Sequence, residues 1–149
     1  MIEPINTGYI QKATRLSQYD VAESVEQILY GQHFHLNDDG EWEYADGTKR
    51  SYPTMNNRYQ GKGYGLQGEL LEGRDDVSAI NKITVLVTNY EIKTHVYDKE
   101  ETYEHGMPLA VKEGGVIVPF DEGTHKTEFI IGYVTRVPED EEDTLVYQG

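Results

Sequence analysis

The sequence predicts a mainly β protein, a small β-barrel or β-sandwich with one short helix and a long glycine-rich loop. Residues 106–147 contain four short apolar runs separated by Gly, Pro and Asp, a pattern typical of short paired strands. A chain of 149 residues has the length of one domain with one core. Its 37% hydrophobic and 27% charged content indicates a globular rather than a disordered chain. We therefore expect a single domain over residues 1–149.

The N-terminal segment, residues 1–19, has no clear hydrophobic period. Its apolar side chains are scattered among polar ones. Such a segment is either an extended arm that becomes ordered against a neighbouring protein or an ordinary first strand. The sequence leaves both interpretations open.

A helix is predicted after this segment. Asp20 and Glu23 have the spacing of a capping box. The apolar residues that follow share one helical face, and Gly31 is suited to end the helix. They are Val21, Val25, Ile28 and Leu29. The pattern predicts about three helical turns.

Residues 33–53 predict a small group of strands. Turn signals occur at residues 37–40 and 46–47, because Asn, Asp and Gly favour tight turns. Between them, residues 41–45 alternate polar and aromatic, which predicts a strand with Trp42 and Tyr44 on one face. Residues 33–36 and 49–52 are expected to pair with it as a meander.

The middle of the chain divides into a loop and a long strand. Five glycines lie between residues 61 and 73, so we interpret residues 53–80 as a mostly irregular loop standing off the core. Residues 82–97 follow as the longest strand candidate. Their apolar positions change parity near Asn89, which predicts a bulge or a tight bend there.

Composition excludes several kinds of protein. The net charge of −14 repels phosphate backbones and anionic membranes, so no nucleic-acid or membrane partner is expected. The chain has no cysteine, which excludes disulfides and thiolate metal sites. No secretory signal is visible at the start, and no apolar run approaches the length of a membrane span.

The residues that could carry chemistry form no convincing set. His33 and His35 would face the same side of a strand, a spacing that suits a metal ion. A cupin-type site also needs a Glu and a later His at set distances; Glu41 is off that pattern, and the other three histidines lie in no matching motif. Hydrogen-bonded strand histidines are the plainer interpretation. No Walker pattern, dinucleotide fingerprint or nucleophile elbow occurs. We predict no catalytic, cofactor-binding or metal-binding residue.

Three C-terminal motifs carry a family resemblance. They are residues 106–112 (GMPLAVK), 114–121 (GGVIVPFD) and 131–135 (IGYVT). Together they resemble the small capsid decoration proteins of tailed bacteriophages, also called head-stabilising or cement proteins. The resemblance covers roughly the last third of the chain. The acidic run at 139–143, interpreted as a solvated turn, and the glycines at 61–73 have no family role.

The resemblance implies a virion protein that is not an enzyme and needs no cofactor. Such a protein binds the outer surface of the assembled capsid, often as a homotrimer at local three-fold axes, and bridges major capsid subunits. A tail or baseplate component of the same virions is one alternative. A small cupin-like metal-dependent enzyme using His33 and His35 is the other.

Contact residues are predicted in two places. Tyrosine accounts for 12 of the chain's aromatic residues, against 3 Phe and 1 Trp, and it suits both protein contacts and half-exposed strand faces. An arm of this kind could add a strand to a capsid sheet edge. The predicted contacts with capsid or sister subunits are Ile5, Tyr9 and Ile10 in the arm, and Tyr52, Tyr59 and Tyr64 in the tyrosine-rich loop. The alternative is that these six residues belong to the core.

Overall fold

The computed structural model describes residues 10–16, 19–59, 62–64 and 83–149. This part of the chain is mainly β, as predicted. Its strands are β1 Ile10–Leu16, β2 His33–Leu36, β3 Trp42–Tyr44, β4 Tyr52–Pro53, β5 Asn57–Tyr59, β6 Lys62–Tyr64, β7 Val85–Thr94, β8 Pro108–Lys112, β9 Val116–Pro119, β10 Gly132–Arg136 and β11 Leu145–Gln148. One 3-10 turn, Thr127–Phe129, precedes β10. None of the described segments is a helix that could span a membrane.

The larger sheet has the strand order β1-β7-β11-β10-β8-β9, and each neighbouring pair is antiparallel. Its last four strands in sequence are the four apolar runs, so the strand prediction for residues 106–147 is confirmed. The connection between β10 and β11 contains the acidic run, with residues 139–142 exposed. That run is the solvated turn that the sequence predicted.

The smaller sheet has the order β3-β2-β4. Strands form at residues 33–36 and 42–44 as predicted, but the third, predicted over 49–52, is the short β4 at Tyr52–Pro53. It pairs with β2 rather than with β3, so the strands do not form a simple meander. Trp42 is fully buried and Tyr44 partly buried against the same apolar cluster, which confirms that they share a face. Phe34 lies in that cluster, with its ring centroid 5.4 Å from that of Tyr44.

Strand β7 connects two hydrophobic clusters. Val85 belongs to the cluster beneath the small sheet, whereas Leu86 and Ile92 belong to the cluster of the large sheet. The backbone bends at Asn89, which has a φ of 58°, and the register of the β1–β7 pair shifts in this region. The bend predicted from the parity change is therefore present.

The predicted helix is wrong. Residues 21–31 form turns and extended backbone, and Val21 makes a parallel bridge with Trp42. The amide of Ala22 donates to the carbonyl of Trp42 at 2.9 Å. Val21, Val25 and Ile28 are all buried, and their β-branched side chains favour extended backbone. The spacing that suggested a helical face instead serves a buried irregular segment.

The barrel alternative is also wrong for the described strands, because the large sheet does not close. The outer edge of β9 is covered by a loop rather than by β1. The amide of Ile117 donates to the carbonyl of Val96 at 3.2 Å, and the amide of Asp98 donates to the carbonyl of Ile117 at 2.9 Å. Within the described part, β1 and β9 remain the two edge strands.

Two predicted segments are described only in part. Residues 10–16 form the first strand that was one interpretation of the N-terminal segment, and residues 1–9 and 17–18 of the proposed arm lie outside the described residues. Within the predicted loop, β5 and β6 pair as a hairpin. Most of the glycine-rich stretch, residues 65–82, also lies outside the described part.

Candidate functional site: the histidine pair and an acidic groove

His33 is a fully buried residue of the central strand β2. Its Nδ1 lies 3.1 Å from the hydroxyl of Ser51, and its Nε2 lies 2.6 Å from the hydroxyl of Tyr147. Burial lowers the pKa of His33 to about 3, because an imidazolium loses its hydration there. Both ring nitrogens are thus engaged by neutral hydroxyl groups around a neutral ring.

Tyr147 extends this network into the large sheet. Its hydroxyl also interacts with the hydroxyl of Tyr90, and the two rings meet edge to face with centroids 6.0 Å apart. Burial raises the pKa of both phenols far above the ordinary value. The network connects β2, β11 and β7 through neutral groups, which suits a structural role.

His35 faces the same side of β2 and is also buried. Its Nε2 lies 2.8 Å from Oε2 of Glu43 on the paired strand β3, and its Nδ1 lies 3.8 Å from Oδ1 of Asp46. The two histidines therefore have separate partners. Over the residues with described positions, no group of three or more histidine, aspartate or glutamate side chains is arranged to hold a metal ion.

The turn at Gly114 and Gly115, which is part of the resembling motif, joins the two sheets. Both glycines have positive φ, 90° and 74°. Gly115 donates to the carbonyl of Ala45 at 2.8 Å and accepts from the amide of His33 at 3.1 Å. The side chain of Gln32 donates to the carbonyl of Gly114 at 2.9 Å. Gly115 is thus needed for close backbone approach, and Gly114 for its positive φ.

The predicted contact residues are placed only in part. Tyr52 is half-buried, and its ring meets that of Trp42 edge to face with centroids 6.2 Å apart. The backbones of Ile10, Tyr59 and Tyr64 are paired in strands β1, β5 and β6. Their side chains lie outside the described part, as do Ile5 and Tyr9 entirely. The contact assignment remains a prediction.

A surface groove of about 270 Å³ lies between residues 97–103 and 137–141. We call it the acidic groove. Tyr97 and Tyr103 are buried along it and meet edge to face with centroids 5.5 Å apart. Their hydroxyls donate to backbone carbonyls of the flanking loops, Tyr97 to Asp143 at 2.7 Å and Tyr103 to Asp98 at 2.9 Å. Tyr97 thereby links the two walls of the groove, and Tyr103 fixes the wall to which it belongs.

One wall is the acidic turn, which Asp143 holds in place. Arg136 makes two contacts of 3.2 Å with the carboxylate of Asp143. The same carboxylate accepts from the amides of Glu139 and Thr144 at 2.9 and 2.8 Å. The bond from the Glu139 amide, then that from Arg136, lowers the pKa of Asp143 to about 2. The preceding acids are thus presented to solvent on a defined turn.

Sequence reasoning missed this groove. Its walls are some 40 residues apart in the chain, and each wall by itself looks like a solvated acidic loop. The available signal in the sequence was the pair Tyr97 and Tyr103, with acidic residues between them. Buried tyrosines need hydrogen-bond partners for their hydroxyls, so such a pair indicates contacts with another part of the chain.

Comparisons with protein-family models, with curated proteins and with solved structures found no match to this chain.

Proposed function

We propose that this chain is a virion structural protein that binds the outer surface of an assembled phage capsid and stabilises it by bridging major capsid subunits. It has no enzymatic activity and acts as a homotrimer. The mechanism is physical: a protein that binds the assembled lattice better than separate subunits stabilises the lattice by mass action. Each bound copy adds contact area across a joint between capsomers.

The observation that carries the proposal is the structural use of the resembling motifs. Residues 108–112, 116–119 and 132–136 are adjacent strands β8, β9 and β10 of one sheet, and the glycine pair between the first two joins that sheet to the smaller one. The three motifs therefore describe one continuous unit of structure. A resemblance spread over unrelated surface segments would carry less weight.

The buried contacts of His33 give further support. His33 would have to give up Tyr147 or Ser51 to bind a metal ion, whereas Nδ1 of His35 has no hydrogen-bond partner among the described residues and lies 3.8 Å from Oδ1 of Asp46. Either change at His33 breaks a buried polar contact, which costs about 1–3 kcal/mol. The cupin-like alternative is tested by elemental analysis of the purified protein, with His33→Ala as the comparison: a stoichiometric metal lost in that variant would favour an enzyme.

The capsid proposal is tested by co-sedimentation. Purified chain is mixed with mature heads, with isolated tails and with unassembled major capsid protein. We expect retention on heads only, saturating at a stoichiometry of three copies per local three-fold site. Retention on tails would favour the tail or baseplate alternative. A folded chain that co-sediments with none of the three samples would disprove the proposal.

A matched variant identifies the binding surface. Ile5→Asp and Tyr9→Asp change predicted contacts in the arm, whereas Glu113→Gln changes an exposed turn residue. The arm variants should reduce retention on heads while Glu113→Gln leaves it unchanged. Equal retention of all variants would refute the arm as the contact, although the capsid assignment would stand on the first experiment.

A further inference from the structure

We propose that the acidic groove is a docking site for a basic segment of another protein, with a lysine or arginine of that segment beside the ring of Tyr97 and an apolar neighbour against Val137. This inference does not depend on the capsid assignment. It names the chemistry of a partner from the groove itself.

The apolar part of the groove has one exposed contact. Val137 is 36% exposed, and Tyr133 is the other large apolar residue left exposed within the described ranges. Pro138 lies next to Val137, and Tyr97 and Tyr103 line the groove behind them. An apolar side chain placed here would cover Val137 without disturbing the core, and covering apolar surface favours binding.

The rim of the groove is negative. Glu101 stands on one wall, and Asp140 and Glu141 stand on the other. The field of the second wall reaches the ring, since burial and then the charges of Asp143, Asp140 and Glu141 raise the pKa of Tyr97. A basic partner complements this charge. A second copy of the chain, with a net charge of −14, would place like charges opposite one another. The proposed occupant is therefore a different, basic protein.

The side chain of Lys99 places a cation against the ring of Tyr97. Its Nζ lies 3.6 Å from the centroid of the Tyr97 ring, a distance at which the ring attracts an ammonium group. The same Nζ donates to the carbonyl of His95 at 2.5 Å, and Lys99 is exposed. Lys99 therefore occupies the position that a partner's cation would take, and it competes with that cation.

The test uses the full isotope-labelled chain and two short capped peptides, one alternating lysine with leucine and one alternating lysine with glycine. Binding is followed by the shifts of amide resonances. We expect the lysine–leucine peptide to move the amides of Lys99, Thr102 and Glu141 most. The lysine–glycine peptide should bind the same place more weakly.

Two charge-matched variants separate docking from general attraction. Lys99→Gln removes the competing cation, whereas Lys49→Gln removes the same charge on the small sheet, where Lys49 donates to the carbonyl of Leu36. Lys99→Gln should increase the affinity for the lysine–leucine peptide about threefold more than Lys49→Gln does. Equal effects would mean that only net charge matters, which would overturn the proposal.

A further pair of variants tests the groove surface. Val137→Ser should weaken the lysine–leucine peptide by roughly three- to fivefold and leave the lysine–glycine peptide unchanged. Glu141→Gln should weaken both peptides by about two- to threefold, while Glu113→Gln in the β8–β9 turn should not. If Glu113→Gln weakens binding as much as Glu141→Gln, the acids act only as a diffuse charge and the proposal fails.

Other occupants give distinct results. If calcium chloride moves the same resonances and displaces the peptide at stoichiometric amounts, the groove is a cation site. If Val137→Ser dissociates an oligomer of the chain in sedimentation equilibrium, the occupant is a second copy. Either result would overturn the assignment to a basic partner.

Discussion

A Cβ atom added to Gly115 would stand 2.3 Å from the carbonyl oxygen of His33. No side chain tolerates that distance to a backbone atom, so the tip of the β8–β9 hairpin must be glycine to reach the small sheet. Two further backbone hydrogen bonds, to Ala45 and from His33, depend on the same approach. The hairpin tip is therefore a structural joint between the sheets.

Replacing this glycine should destabilise the fold strongly. Gly115→Ala combines a positive φ of 74° with the clash, so we expect it to lower the free energy of unfolding by at least about 3 kcal/mol. Gly40→Ala is the matched control, because Gly40 has a φ of 77° and nothing within 4 Å of the added atom. It should cost only about 1 kcal/mol. Urea unfolding measures both; similar losses would mean that the hairpin tip is not held in place.

The stability of the protein should fall in mild acid because of His33. Its pKa is lowered from 6.5 to about 3 in the folded state, so the unfolded chain takes up the proton first. The contribution is complete above pH 6.5 and is lost as the pH falls from there towards 3. The expected loss is about 1.4 kcal/mol per pH unit.

Two measurements check this pH dependence. Urea unfolding between pH 7 and pH 5 should show the slope in the natural chain and a flatter curve in His33→Gln, which does not titrate. In the natural chain, the ring resonances of His33 should stay constant down to about pH 4. A ring that titrates near its ordinary pKa would rule out the buried neutral state.

The hydroxyl of Tyr147 should contribute more than its size suggests. Tyr147→Phe keeps the ring but leaves Nε2 of His33 without its partner at 2.6 Å, and an unsatisfied buried group costs about 1–3 kcal/mol. Tyr133→Phe is the control, because Tyr133 is 52% exposed and should change stability by less than about 0.5 kcal/mol. Thermal or urea unfolding compares the stabilities of the two variants. Equally small losses would contradict a stabilising hydrogen bond between His33 and Tyr147.

The bend in β7 should depend on the backbone freedom of Asn89. Asn89 is exposed and has a φ of 58°, so its side chain can be changed without removing core contacts. Asn89→Val should cost about 1–2 kcal/mol, because a β-branched residue resists this conformation. Asn89→Gly should be nearly neutral by the same unfolding measurement. A valine variant as stable as the glycine variant would show that the bend relaxes.

The local signals predicted the fold better than the long-range ones did. Runs of alternating or apolar residues next to Gly and Asp marked β3 and β8 to β11, because the strand pattern and the turn chemistry agree there. The helix at residues 20–31 was wrong because Val21, Val25 and Ile28 have helical spacing but pack as an irregular segment that bridges to Trp42. Only the pairing of that segment with a later strand decides between a helix and a non-helical backbone.

The candidate site was less predictable for a related reason. His33 and His35 were expected on one face of a strand, and they are, but their partners come from elsewhere in the chain: Tyr147 from β11, Glu43 from β3 and Ser51 from the loop before β4. The acidic groove joins two distant loops through the hydroxyl of Tyr97, which donates to the carbonyl of Asp143. The sequence shows that such residues are present but does not indicate which of them are in contact in the folded chain.

The joint at Gly115 also has a consequence for synthesis on the ribosome. The side chain of Gln32 and the carbonyl of Gly114 are 82 positions apart in the chain. The small sheet therefore leaves the exit tunnel long before its hairpin partner exists, and long-range pairing of this kind folds slowly. A nascent chain halted before residue 114 would hold the small sheet without the hairpin that bonds to His33 and Ala45, and chaperone capture during translation would be greatest at that stage.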